Sequence, residues 1–150
     1  ERSYSKSCRR FSMSTLNVNT LADAHGTGNI NVQSEGGSVT TNLQQGLVKS
    51  WIKPAADLAS ISDSFNVSSL DDDGTGNGGV NFSNAMSNAD YVILGLTQDQ
   101  NTTDFTRQSD ITDGTQAAGT YDFEVYAVSS SANRTNSDTQ AYFATTGDLA

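Results

Sequence analysis

The chain has 150 residues and a mass of 15.8 kDa, room for one compact domain with an arm and not for two enzyme-sized domains. Ser, Thr, Asn and Gly make up 63 of its residues against 35% hydrophobic and 17% charged, so core-forming material is scarce and part of the burial is expected between subunits. A net charge of −9 argues against nucleic acid, because phosphate binding needs a basic surface that releases counterions. The longest strongly apolar run, Tyr91 to Leu96, is far below the roughly 20 residues of a membrane span, so no membrane insertion is expected. A single cysteine, Cys8, leaves no intrachain disulfide and no cysteine-based zinc site.

Charge and composition divide the chain into three. Residues 1–12 carry Arg2, Lys6, Arg9 and Arg10 against Glu1 alone, while the other four basic and sixteen acidic residues follow. They read as a basic extension, disordered or a remnant, ahead of a start of its own at Met13. Residues 13–45 alternate isolated apolar residues with Asn, Thr and Ser: Leu16, Val18 and Thr20, then Ile30 and Val32. Strands that thin, with no aromatic residue, cannot form a core alone, so this segment reads as a β arm for docking or trimerisation. From residue 46 onward aromatic residues supply packing area, and 46–150 reads as the head.

Within the head, a period of two dominates. Val80 and Phe82 flank Asn81, and Tyr121, Phe123, Val125 and Ala127 face one way with Asp122 and Glu124 facing the other, the pattern of half-buried antiparallel strands. Tyr91-Val92-Ile93-Leu94 is apolar on both faces and is expected in the middle of a sheet, covered on both sides. Breakers fall between the runs: Gly36-Gly37, Asp73-Gly74, Gly76 to Gly79, Asp113-Gly114 and the polar stretch Ser129 to Ser137. The best helix candidate, Asn84 to Ala89, is no more than a turn between strands. The expected fold is all-β, an antiparallel β-sandwich head of jelly-roll-like form preceded by the thin β-rich arm.

The run Val48-Lys49-Ser50-Trp51-Ile52, then Ser64-Phe65-Asn66-Val67-Ser68-Ser69, Asp73-Gly74-Thr75-Gly76, Val80-Asn81-Phe82, Ala85-Met86 and Tyr91-Val92 resembles a module of tailed-bacteriophage virion proteins of the marine and cyanophage type. The opening Met13-Ser14-Thr15-Leu16-Asn17-Val18 is similar to the start of short proteins of that group. The likeness covers residues 13–21 and 47–96. Two departures stand out: Lys53-Pro54-Ala55-Ala56-Asp57-Leu58 replaces a short glycine-rich loop, and Gly76-Asn77-Gly78-Gly79 replaces an aromatic before the next strand. The resemblance implies a non-enzymatic virion component, usually a homotrimer, in contact with other phage virion proteins. Its location would be the virion, as a tail-fibre or receptor-binding subunit, with a capsid decoration or capsid fibre as the alternative.

No constellation for catalysis stands out. His25 is the only histidine and has no partner visible in sequence, and no carboxylate pair is singled out for glycoside cleavage, so no enzyme activity and no cofactor are expected. Asp71 and Asp73 in the acidic turn are weak candidates for calcium, but the closing acidic ligand and flanking helices of a calcium-binding helix-loop-helix are missing, and a hairpin turn explains the same residues. The polar stretch around Asp99, Asn101, Asp104 and Arg107 offers donors and acceptors suited to a host cell-surface glycan or protein, against the plainer reading of a surface loop. Trp51, Phe65, Phe82 and Tyr91 are expected to hold the head together, Trp51 as a core or subunit-interface anchor rather than a sugar platform.

Overall fold

The computed structural model describes residues 18, 20–21, 30–33, 40–43, 46–98 and 105–150. The basic extension and most of the arm lie outside the described residues. Within the arm, Asn31–Gln33 (β1) and Thr40–Asn42 (β2) pair antiparallel as a separate two-stranded ladder, extended where the Leu43 N–H donates to the Ile30 carbonyl at 2.6 Å.

The head strands are Val48–Pro54 (β3), Ile61–Phe65 (β4), Val67–Asp72 (β5), Asn77–Phe82 (β6), Val92–Thr97 (β7), Phe105–Ile111 (β8), Thr120–Ser129 (β9), Arg134–Asn136 (β10) and Ala141–Thr146 (β11). They form two antiparallel sheets, one of four strands in the order β4-β3-β11-β7 and one of five built on β5, β6, β8, β9 and β10. The all-β sandwich expected from the alternation is what forms, and no helix occurs among the described residues.

The ten-residue β9 is the spine of the five-stranded sheet. Strand β8 pairs with Phe123–Ser129 along one edge, while β6 takes Thr120–Glu124 and β10 takes Tyr126–Val128 along the other. At the junction of these two short partners the Val125 N–H donates to the Gly76 carbonyl at 2.6 Å, and the Val125 carbonyl accepts from the Ser137 N–H at 3.1 Å. No ladder group of Val125 is left unpaired inside the sheet. Glycine is required at 76: its φ is +73°, and a Cβ there would lie 2.3 Å from the Val125 carbonyl oxygen.

The core lies between the sheets. Tyr121, Phe123 and Val125 on one face of β9 meet Val80, Phe82, Ile52 and Phe143, with Leu58, Met86 and Tyr91 closing the ends. Phe123 and Phe143 join the two sheets with ring centroids 4.6 Å apart, and Phe82 and Tyr91 meet edge to face at 5.5 Å. The chain passes from one sheet to the other at Asn66, between β4 and β5, where a φ of +56° makes the sharp reversal that asparagine tolerates. The Asn66 amide donates to the carbonyls of Lys49 and Asn84, and its oxygen accepts from the Asn84 N–H at 2.8 Å and the Asn84 amide at 3.0 Å.

Four expectations are corrected. The apolar run after Tyr91 is not a covered central strand: β7 sits at the edge of the four-stranded sheet with Val92, Leu94 and Leu96 exposed. Phe82 and Tyr91 are in the core, but Phe65 is 54% exposed and Trp51 37%, which removes the core alternative for Trp51 and leaves the interface one, because the alternation of β3 turns Ser50, Ile52 and Pro54 inward and Trp51 outward with Phe65 opposite it. Asp73 to Gly76 does form the β5–β6 turn, whereas Asn77, Gly78 and Gly79 belong to β6 itself; a Cβ at Gly78 would press within 2.9 Å of the Phe123 ring. Asn84 to Ala89 makes no helical turn, only bends around the bridge from Met86 to Leu149.

Candidate functional site

The two outward faces of the sandwich differ in chemistry. On the five-stranded sheet, the residues that alternate with the core positions are polar: Ser69, Asp71 and Asn81 on β5 and β6, Asp122 and Glu124 on β9, Asp110 on β8 and Arg134 on β10. They bond to one another. The Tyr126 hydroxyl donates to Asp110 at 2.6 Å, the Arg134 guanidinium lies 3.7 Å over the Tyr126 ring and pairs with Glu124 and Asp110, and the Asn81 amide donates to Asp71 at 2.8 Å. The hydrogen bond to Asp110, with burial and that carboxylate's charge, raises the Tyr126 pKa. Burial, then the carboxylates of Asp73 and Asp71, raises that of Asp122.

The outward face of the four-stranded sheet is apolar. Register places Phe65 opposite Trp51, Trp51 opposite Ala144 and Ala144 opposite Leu94, one row across all four strands. The next row runs from Asp63 to Lys53 and from Tyr142 to Leu96, and a third pairs Val48 and Val92 with Thr146. Seven of these side chains are large, apolar and exposed, up to 73% for Leu96. The small Ala144 between Trp51 and Leu94 leaves a groove of about 470 Å³, which Lys53, Leu96 and Tyr142 also line. A contiguous apolar face of this kind is more than the ordinary scatter of single hydrophobic residues on a surface.

The sequence-derived loop is only partly placed. Asp99, Asn101 and Asp104 lie outside the described residues, and Arg107 is on β8 opposite Ala127, on the inward-facing register of that strand. It lines a polar cleft of about 550 Å³ between the β7 and β8 edges with Gly95, Leu96, Thr97, Gln108, Ser109 and Asp110. Asp71 lies on β5 and Asp73 at the start of the β5–β6 turn, and among the described residues no three His, Cys, Asp or Glu side chains converge to hold a metal ion. The residues that build the apolar face, Val92, Leu94, Leu96 and Tyr142, were not singled out as a site in the sequence. Their signal was present: Val92, Leu94 and Leu96 alternate along one strand, so they share a face.

No protein family, curated protein or solved structure matches the chain.

Proposed function

We propose that this chain is a non-enzymatic structural subunit that works in an assembly, a homotrimeric virion component of the tailed-phage type, most concretely a fibre or receptor-binding subunit. The observation that carries the reading is the contrast between the two sheets: one outward face is polar and internally bonded, the other presents Trp51, Phe65, Leu94, Leu96 and Tyr142. Exposed apolar area on that scale is stable in water when another surface covers it. The likeness of residues 13–21 and 47–96 to virion modules supplies the type of assembly, and the polar sequence stretch with Asp99, Asn101 and Asp104 is the candidate for meeting a host glycan or protein; Arg107, on β8 in its inward-facing register, drops out of that set.

Immunogold electron microscopy of purified particles tests it. Label at the tail or its fibres, with adsorption reduced when Asp99, Asn101 and Asp104 are changed to Ala, is the expected result. Label on the capsid shell with unaltered adsorption moves the assignment to a capsid decoration, and particles without label overturn the virion reading.

A further inference from the structure

We infer that the outward face of the four-stranded sheet is the surface through which copies of this chain hold one another, with a second copy seated face to face on the first. The inference rests on the structural-subunit part of the reading above and adds the surface and its occupant; a face that packs on its own copy closes at two, so it makes the unit a dimer in place of the trimer.

Size is the first argument. With aromatic side chains offering about 150–250 Å² each and leucine and valine somewhat less, the exposed fractions of Val48, Trp51, Phe65, Val92, Leu94, Leu96 and Tyr142 amount to on the order of 600 Å² of apolar area. That is at the upper end of what a monomer carries and close to the roughly 800 Å² per partner of a stable interface.

Chemistry is the second. Polar side chains on the face are few, chiefly Lys53, Asp63 and Thr146, so a sugar laid across it would have its hydroxyls stripped of water by leucine and valine without replacement partners. An apolar protein surface has no such penalty. The face supplies both halves of the fit: Leu94, Leu96 and Trp51 project from it, and the groove over Ala144 receives such projections.

Charge is the third. Residues 46–150 hold four basic and fourteen acidic residues, so two heads repel through most of their surface. The strands of the five-stranded sheet carry Arg107 and Arg134 against Asp71, Asp72, Asp110, Asp122 and Glu124. On the outward face of the four-stranded sheet the charged residues are Lys53 and Asp63, which balance; Lys49 of the same sheet is buried. Of the two sheet faces this one is the less repulsive to approach. Lys53 and Asp63 sit opposite each other in register, so in a face-to-face contact Lys53 of each copy can meet Asp63 of the other.

The test is sedimentation velocity on the full chain at micromolar concentration. The wild type is expected to be dimeric, and Leu94→Lys with Leu96→Lys to weaken association at least tenfold while leaving a folded monomer by circular dichroism. Both positions are exposed and outside the core. Lys53→Asp and Asp63→Lys variants are each expected to associate less well alone than when mixed. Trp51 is the only tryptophan of the chain, so diluting the wild type through dissociation should shift its emission to the red. A monomeric wild type overturns the inference, as does an oligomer indifferent to the leucine changes, a mixture no stronger than its components, or Trp51 emission unmoved by dissociation. A dimer sustains the face and overturns the trimer, whereas a trimer overturns the face-to-face pairing. A monomer found on particles overturns the face and leaves the structural-subunit reading standing.

Discussion

The hydroxyls of Ser50 and Thr145 lie 2.7 Å apart in the buried middle of the four-stranded sheet, a hydrogen bond between residues 95 positions apart in sequence. Ser50 on β3 and Thr145 on β11 are direct register partners, so this bond ties together the first and last strands of the head. Removing one hydroxyl leaves the other buried without a partner; removing both leaves nothing unsatisfied. Ser50→Ala or Thr145→Val alone is therefore expected to cost about 1–3 kcal/mol and the double replacement much less than their sum. Urea unfolding of the three variants checks this.

Core and face should respond oppositely to truncation. Phe123 is 1% exposed and stacks between the sheets, and Phe123→Ala is expected to cost about 3–5 kcal/mol of head stability. Trp51→Ala removes a side chain that lies outside the core and is 37% exposed in the isolated chain, and its effect on monomer unfolding should be smaller, about 1–2 kcal/mol. Unfolding measured on the monomeric form separates the two; equal losses would return Trp51 to the core.

Asn66 makes the crossing from β4 to β5 with a backbone that most residues avoid and four hydrogen bonds from one amide. Asn66→Ala combines the strain with the lost bonds and is expected to cost about 2–4 kcal/mol. Asn66→Gly relieves only the strain and should fall between Ala and wild type in thermal melts.

Burial pushes the Tyr91 hydroxyl, which donates to the carbonyls of Thr120 and Ala117, up to about 12 from its ordinary 10.0. A pKa raised by folding favours the folded state fully below the unfolded value and ceases to do so as pH rises through the folded one. Stability is expected to fall as pH climbs from 10 toward 12, and Tyr91→Phe should flatten that decline. Tyr121, also raised by burial and then by Tyr91, supplies what remains. Urea unfolding across that window reads both.

The raised Asp122 follows the same sign. Its contribution is full below the ordinary value of 3.8 and lost as pH rises through its elevated one, where the charge is poorly solvated and faces Asp73 and Asp71. Asp122→Asn should raise Tm at pH 7 and leave it nearly unchanged at pH 3.

Local chemistry made much of the fold legible. Alternation along Tyr121 to Ala127 marks β9 and its core face, because successive side chains of a strand point to opposite sides. Asp73 to Gly76 reads as a turn because Gly74 and Gly76 adopt positive φ there. Two other matters belong to the tertiary structure. Where both faces of a strand are apolar, as in Val48 to Ile52 and Val92 to Leu96, alternation says which residues share a face but not which face meets the core. Strand order decides that: β3 pairs with β11 from the far end of the chain and β7 takes the edge, so Ile52 and Phe143 are buried while Trp51, Leu94 and Leu96 are left facing water. Such pairings are fixed by the packing of the whole sandwich, and no local run of residues carries them.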